Sequence, residues 1–178
     1  MKPAKRLDGI GISLIRQINA LATAESLNLG IGEPNIEPDE TLRAMAARAA
    51  STGSWHYSPN PGNLSLRKKI AAKKDFNPRT EVCVTAGTEE GLYSIFQAYV
   101  NDGDEVLVPN PGFTSYPTLA KLCGGTPVAY GIDPPDWKLD ARSVLSKITS
   151  KTKLIVVNSP SNPLGSIIDR QTLETIAS

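Results

Sequence analysis

Residues 153–165 read KLIVVNSPSNPLG, a β-branched run followed at once by a polar, proline-rich run. The apolar part, Lys153–Val157, predicts a buried strand, because parallel strands covered on both faces are nearly continuous runs of such residues. The polar part, Asn158–Gly165, should then leave the carboxyl end of that strand. Ligands bind at this edge in open α/β sheets. The stretch therefore predicts an α/β sheet with a binding loop behind this strand.

The chain before this strand alternates between strand and helix patterns from residue 81 onward. Strands are predicted at Val82–Thr85, Glu105–Val108, Pro127–Ile132 and Lys153–Val157, and helices at 88–100, about 114–123, 140–149 and 169–177. Right-handed crossovers would make the four strands parallel and place helices on both faces of the sheet. The predicted fold class is therefore α/β, a three-layer α/β/α arrangement with a mainly parallel sheet.

The first 80 residues carry helix and loop patterns instead. Residues 1–30 contain one amphipathic segment, whose apolar residues are spaced by three: Ile12, Ile15, Ile18 and Leu21. We interpret this part as an N-terminal arm and loop. Two further helices are predicted at residues 39–51 and from Leu64 onward. The second carries a basic group that we interpret as a solvated face: Arg67, Lys68, Lys69, Lys73 and Lys74.

Composition excludes several classes of protein. The 178 residues are 40% hydrophobic and 21% charged, which is typical of a soluble globular chain. The formal net charge is +1 and the sequence has no long runs of one charge, so nothing in it indicates binding to nucleic acid or to an anionic membrane. No apolar stretch approaches the ~20 residues of a membrane helix or forms a signal core, so we expect a cytoplasmic location. Cys83 and Cys123 lack metal or redox spacing, and we interpret them as buried structural thiols.

Motifs of several common enzyme classes are missing from the sequence. His56 is the single histidine, and neither a GxSxG nor a GxxxxGK[ST] motif is present. The glycine pairs at residues 9 and 11 and at residues 30 and 32 lack the third glycine of a dinucleotide fingerprint. A nucleotide-dependent α/β enzyme is therefore a weak hypothesis, and no metal site is predicted.

Residues 82–92 predict a strand, a glycine turn and a helix. Thr88 is a natural N-cap residue. The first amides of a helix have no partner inside it and lie at the positive end of its dipole. Gly87, Thr88 and Glu89 can therefore present N–H groups to a phosphate, with the Thr88 hydroxyl as a further donor. A capped helix without any ligand explains the same residues.

Two more candidate residues follow predicted strands. Phe113 leaves a strand on a Pro/Gly turn, where its ring can stack on a planar ligand or pack under the next helix. Asn162 lies in a loop fixed by prolines, and its amide suits a phenolic or hydroxyl oxygen, although an Asn-Pro turn explains it equally. Each residue alone leaves both interpretations open.

Taken in order, five segments resemble the fold-type I pyridoxal-phosphate-dependent aminotransferases of class I/II. They are Gly32–Pro34, the block Tyr57…Gly62…Leu66-Arg67, Thr85–Gly91, Pro109–Tyr116 and Asn158–Gly165. The resemblance covers about residues 28–178 and implies the first half of an aminotransferase-type large domain. Residues 31–178 would then be a partial pyridoxal-phosphate-binding domain behind the arm formed by residues 1–30.

The resemblance also implies roles for individual residues. Gly87, Thr88 and Glu89 would hold the phosphate of pyridoxal phosphate, Phe113 would stack on its ring, and Asn162 would donate to its phenolate oxygen. Gly32 would lie near the substrate carboxylate. Tyr57 would reach the phosphate of the neighbouring subunit's cofactor, which implies a homodimer with shared sites. The family often has a cis peptide bond before the proline that matches Pro163, so we expect a cis Asn162–Pro163 bond.

The catalytic residues of the family have no counterpart in this sequence. Transfer of an amino group between an amino acid and a 2-oxo acid needs a Schiff-base lysine, an aspartate and an arginine, which in the family follow the segment matching Gly165. Lys147, Lys151 and Lys153 do not match the context of that lysine, so no catalytic residue is assigned. We therefore expect a domain truncated before the Schiff-base lysine, which by itself is inactive.

The resemblance affects the expected sheet and leaves an alternative function open. In the family, strands from the later chain separate the strand matching Val82–Thr85 from the fourth one, so we expect a rearranged sheet or self-association through open edges. The alternative is a non-catalytic ligand-binding or interaction domain that keeps half of the fold. The amino acid substrate also stays open, because one fold serves several reactions.

Overall fold

The computed structural model describes residues 2–53 and 55–178, which form two compact units. One unit comprises Ile12–Thr85, and the other comprises the chain up to Gly11 together with Ala86–Ser178. We refer to them as the arm unit and the sheet unit. The division into residues 1–30 and residues 31–178 stays a prediction.

Among its described residues, the arm unit contains three helices with little buried surface. They are α1 (Leu14–Asn19), α2 (Glu40–Thr52) and α3 (Leu64–Ala71). Each follows a residue whose side chain accepts a hydrogen bond from the first turn of the helix: Ser13, Asp39 and Asn63. The helices predicted at 39–51 and from Leu64 onward are therefore confirmed. The apolar side chains of α2 are exposed, with Leu42 at 56% and Met45 at 64%.

The strand predicted at Val82–Thr85 is wrong. This segment joins no ladder, and the N–H of Val84 donates to the carbonyl of Pro61 at 3.0 Å instead. A strand needs a neighbouring strand to pair its N–H and C=O groups. The described residues offer this segment only a loop, so the sheet has three strands rather than four.

The sheet unit is built on a parallel three-stranded sheet. Its strands are β1 (Glu105–Asn110), β2 (Thr126–Gly131) and β3 (Thr152–Ile155), in the order β2-β1-β3. Four α-helices accompany them in the described part of this unit: α4 (Gly87–Tyr99), α5 (Ser115–Leu122), α6 (Ala141–Leu145) and α7 (Arg170–Ala177). The last three predicted strands and these helices are confirmed with shifted ends, α6 ending well before residue 149. No helix in the described residues is long and apolar enough to cross a membrane.

Strand β1 is buried on both faces, which makes the sheet unit three-layered. Val106 and Val108 pack in one cluster with Phe96 of α4 and Leu119 of α5. Leu107 packs on the other face, in a cluster with residues of β2, α6 and α7: Tyr130, Val144 and Ile176. This alternation follows the two-residue period of a strand. The α/β/α architecture with a parallel sheet is therefore confirmed.

The two cysteines have different environments. Both are free thiols, Cys83 exposed and Cys123 half-buried. Burial raises the pKa of the Cys123 thiol. The interpretation of both as buried thiols is wrong for Cys83, because side chains alternate along its extended segment and Val82 and Val84 take the half-buried side.

Tyr130 links β2 to the segment that directly follows β3. Its side chain is 1% exposed, and its hydroxyl donates to the carbonyl of Val156 at 2.6 Å. Burial, with a smaller effect of Tyr116, raises the pKa of Tyr130 to about 12. The phenol therefore remains a protonated donor well above neutral pH.

Raising the pH from about 10 to about 12 should destabilise the protein in part through Tyr130. The folded state holds this proton more tightly than the unfolded state, whose tyrosine has a pKa of 10.0. The stabilisation is therefore complete below pH ~10 and lost towards pH ~12, on the order of 2 kcal/mol. Denaturant unfolding at both pH values measures it. Between these pH values, the free energy of unfolding of Tyr130→Phe should decrease less than that of wild type. Tyr99→Phe, which changes an exposed phenol, should show the same decrease as wild type. Equal decreases in wild type and Tyr130→Phe would contradict the prediction.

Candidate functional site

One edge of the sheet collects the candidate residues of the sheet unit. Strands β1 and β3 are adjacent and parallel, so the loops that follow Asn110 and Ile155 leave from the same edge. A short connection, residues 100–104, leads from α4 into β1, from which we infer that helix and strand run in opposite directions and that the first turn of α4 points towards this edge. Phe113, Asn162 and the start of α4 thus belong to one carboxyl edge.

The start of α4 differs from the predicted cap. The N-cap is Ala86, not Thr88, because the helix begins at Gly87 and Thr88 is its second residue. The carboxylate of Glu90 accepts a hydrogen bond from the N–H of Ala86, four residues earlier. Gly87 has a φ of +79°, which favours glycine, and a Cβ there would meet nothing within 4 Å.

The electrostatics of this helix start are mixed. The helix dipole favours an anion at the first turn, where the exposed Thr88 adds a hydroxyl. Glu89 and Glu90 place two carboxylates in the same turn. A Cβ at Gly87 would meet no atom within 4 Å, so the helix start is open at this point, whereas the two carboxylates oppose the charge of a phosphate. Binding of a phosphate by Gly87, Thr88 and Glu89 stays a prediction.

Phe113 packs against the core of the sheet unit. It is half-buried and contacts Tyr116 edge to face, with ring centroids 5.5 Å apart and planes at 81°. The turn before it folds back tightly, since a Cβ at Gly112 would lie 2.3 Å from the carbonyl oxygen of Pro109. The packing role left open by the sequence is therefore present. Stacking of Phe113 on a cofactor ring stays a prediction.

The loop after β3 is closed by its own hydrogen bonds. The side-chain oxygen of Asn158 accepts from the N–H of Asn162 at 2.8 Å, and the carbonyl of Ser161 accepts from the N–H of Gly165 at 2.7 Å. The hydroxyl of Ser159 accepts from the N–H of Ile168 at 3.0 Å. The expected cis Asn162–Pro163 bond is confirmed. The result is a fixed loop in which Asn162 is exposed.

Tyr57 and Gly32 lie in the arm unit, and both are exposed. The segment behind Tyr57 is held by main-chain bonds: Gly62 donates to Pro59 at 2.7 Å, and Pro61 accepts from Val84 at 3.0 Å. Gly62 has a φ of +94°, and a Cβ there would lie 2.8 Å from the Cβ of Val84, so only glycine fits. Contacts of Tyr57 with a neighbouring subunit and of Gly32 with a substrate stay predictions.

Comparison with known proteins points to one family. The family model described as "Aminotransferase class I and II" matches residues 24–178. A probable aspartate aminotransferase of Methanocaldococcus jannaschii is 39% identical over 98% of this chain and 48% of its own length. The aromatic-amino-acid aminotransferase 2 of Thermococcus litoralis is 33% identical over 99% of this chain and 48% of its own. The chain spans about half the length of the curated relatives it matches.

The solved structures that resemble this chain include aminotransferases as well. Aspartate aminotransferase from Thermus thermophilus with maleate is 30% identical with a TM-score of 0.88, over 99% of this chain and 50% of that chain. N-succinyldiaminopimelate aminotransferase from Mycobacterium tuberculosis is 30% identical with a TM-score of 0.91, over 99% of this chain and 48% of that chain. Over the matched residues, the chain therefore has the fold of about half of each of these proteins.

Arg67 is a structural residue that the sequence interpretation missed. It is 7% exposed, and its guanidinium donates to the carbonyls of Gly62 at 3.1 Å and Pro78 at 2.8 Å. The interpretation as a solvated face is therefore wrong for Arg67, although the four lysines are exposed. The available signal was its four-residue spacing from Ala71, the other buried residue of α3. Arg67 fixes the loop that leads from Tyr57 into α3.

Replacement of Arg67 by methionine should destabilise the protein. The variant keeps an apolar stem but leaves the carbonyls of Gly62 and Pro78 without this donor, so the free energy of unfolding should fall by about 3 kcal/mol. Denaturant unfolding measures the change, with Lys68→Met at the exposed neighbouring position as the matched control. Equal stabilities of the two variants would show that the buried guanidinium does not hold this loop.

Proposed function

Because the chain belongs to the class I and II aminotransferase family, we propose that it forms the cofactor-cradling part of an enzyme that moves an amino group between an amino acid and a 2-oxo acid. One observation carries the proposal: the Phe113 turn and the Asn162 loop follow adjacent parallel strands and leave the same carboxyl edge of the sheet, towards which we infer that α4 begins. The relatives include aspartate, aromatic-amino-acid and kynurenine–oxoglutarate enzymes. Their names do not select a substrate for this chain.

The residues at this edge fit pyridoxal phosphate. The first turn of α4 offers a positive dipole end, the Thr88 hydroxyl and open space at Gly87, which suit a phosphate. Phe113 offers an aromatic ring beside the same edge, and the exposed Asn162 offers an amide donor for a phenolate oxygen. When bound, this cofactor supplies an electron sink for chemistry at the α-carbon of an amino acid.

Each residue has a binding or orienting task in this proposal. Gly87, Thr88 and Glu89 anchor the phosphate, while Glu90 braces the helix end through Ala86. Phe113, which contacts Tyr116 edge to face, would stack on the pyridine ring of the cofactor and so orient it. Asn162 donates to the phenolate oxygen and favours its charged form. Gly32 leaves room for the substrate carboxylate.

None of these residues does the proton transfer of the reaction. We assign covalent attachment of the cofactor to none of Lys147, Lys151 and Lys153, so this chain alone should bind the cofactor reversibly and transfer no amino group. The relatives named above are aminotransferases, which gives no support to the alternative of a non-catalytic interaction domain.

The proposed assembly is a homodimer or another self-associated form. Within the described residues, β2 and β3 each have one side without a ladder partner, and such edges pair readily with another chain. In the arm unit, Trp55 and Tyr57 are exposed, as expected for residues that meet a second subunit. The cytoplasmic location also stays a prediction.

Titration with pyridoxal phosphate tests the proposed site. Wild type should bind it, and Thr88→Val and Asn162→Ala should each weaken binding about tenfold, because each removes a hydrogen bond to a charged oxygen. Thr41→Val is the matched control, since Thr41 is also the second residue of a helix, α2. Mass spectrometry after borohydride reduction should find no specifically modified lysine. A wild type without binding, or equal affinities of Thr88→Val and Thr41→Val, would contradict the site.

Sedimentation velocity tests the open edge of β3. Because Val156 donates to the carbonyl of Leu107 in β1, the preceding residue, Ile155, directs its main-chain N–H to the open side. Wild type should associate with rising concentration, and Ile155→Pro should reduce this association, because proline removes an outward N–H. Ile155→Ala controls for the lost side chain. A wild type that stays monomeric, or equal association of both variants, would contradict pairing through this edge.

A further inference from the structure

Pro109 interrupts the ladder between β1 and β3. The carbonyl of Leu107 accepts from the N–H of Val156 at 2.8 Å, and the carbonyl of Asn110 accepts from the N–H of Ile132 at 3.0 Å. Main-chain groups alternate along a strand, so residues 105, 107 and 109 face β3 and the residues between them face β2. The next donor towards β3 would be the N–H of residue 109, and its acceptor would be the carbonyl of Val156. Proline has no N–H to donate.

A side chain from the opposite neighbour serves that acceptor. Tyr130 lies opposite Pro109 in β2, and its ring packs beneath the sheet in the cluster that contains Leu107. Its hydroxyl reaches past β1 and donates to the carbonyl of Val156 at 2.6 Å. Tyr130 and Pro109 are both buried, so water would be a poor substitute for this donor.

The bond lies directly before the loop that carries Asn162. Val156 is the first residue after β3, and Asn158, two residues on, accepts the N–H of Asn162. On the other side, the turn to Phe113 folds back on Pro109, since a Cβ at Gly112 would lie 2.8 Å from the Cγ of Pro109. Pro109 thus shapes one loop of the edge while removing the ladder bond that would hold the other.

We propose that Tyr130 is a positioning residue for the Asn158–Gly165 loop, because its hydroxyl replaces the ladder donor that Pro109 lacks. The tyrosine fixes the main-chain carbonyl of Val156, two residues before this loop begins, and so sets where Asn162 stands. The consequence for a cofactor rests on the function proposed above, whereas the consequence for the loop does not. Since burial keeps the phenol protonated, the donor is present throughout the neutral range.

A rescue experiment tests this assignment. Tyr130→Phe removes only the hydroxyl, and Pro109→Ala supplies the missing main-chain N–H, so the double variant exchanges one donor for the other. Hydrogen exchange at the amides of Asn162 and Gly165 should be at least about fivefold faster in Tyr130→Phe, and near wild type in Pro109→Ala and in the double variant. Tyr99→Phe, at an exposed phenol, should leave exchange unchanged, with the capped amide of Leu42 in α2 as an internal reference.

Restored protection in the double variant supports the assignment, because loss of packing alone would not respond to a donor at residue 109. If the loop amides of the double variant exchange as fast as those of Tyr130→Phe, the assignment is overturned. It is also overturned if the loop amides of Tyr130→Phe exchange as slowly as those of wild type. If Tyr130→Phe fails to fold, folding of the double variant supports the assignment and its failure to fold overturns it.

Affinity for pyridoxal phosphate, measured on the same proteins, tests the link to Asn162. A lower affinity of Tyr130→Phe that recovers in the double variant supports a positioning role towards the cofactor. If Tyr130→Phe has faster exchange in the loop but an unchanged affinity, that role is overturned. A wild type that binds no pyridoxal phosphate counts against the proposed function, and the exchange rates then still decide whether Tyr130 replaces the donor.

Discussion

Main-chain pairing of β1 with both of its neighbours is the constraint on which the sheet unit depends. Val106 and Leu107 are fully buried and Val108 nearly so, with helices on both faces, so water does not reach the main chain of this strand. Each N–H and C=O there needs a partner inside the protein, or the fold loses the full desolvation cost of that group. Parallel pairing on both sides, with one register shift between Glu105 and Val106 on the β3 side, therefore holds β2 and β3 against β1. The one donor that Pro109 cannot supply is replaced by Tyr130.

The same pairing determines where the candidate site lies. Neighbouring parallel strands end at a common edge, so the Phe113 turn and the Asn162 loop leave the sheet side by side. Strand pairing alone accounts for this placement, and no direct contact between the two loops is needed. The start of α4 points to that edge because a short connection reverses the chain into β1. Because the chain belongs to the aminotransferase family, we propose that this edge is a cradle for pyridoxal phosphate, to which the described residues contribute binding donors.

Local patterns were enough to predict the central part of the fold, and long-range partners were not. The β-branched run Lys153–Val157 predicts a buried strand. The strand forms at Thr152–Ile155, but it is only partly buried, because it lies at an edge of the sheet. The similar run Val82–Thr85 predicts a strand that does not form, since a pattern cannot show whether a neighbouring strand exists. Thr88 has the chemistry of a cap, but Glu90 reaches back to Ala86 and moves the helix start. Arg67 was grouped with the solvated lysines beside it, because the carbonyls that accept its hydrogen bonds, those of Gly62 and Pro78, lie in loops outside α3 and the local pattern does not reveal them.

The central claim, that one edge of this sheet binds pyridoxal phosphate, is tested most directly by amide chemical-shift mapping of the isotope-labelled chain. We expect shifts at Gly87–Glu89, Phe113 and Asn162 on addition of the cofactor, and none along α3. Pyridoxal without its phosphate should still shift Phe113 and Asn162 but leave Gly87–Glu89 unchanged. Shifts confined to exposed lysines such as Lys68 and Lys69, or the same pattern with and without the phosphate, would contradict the claim.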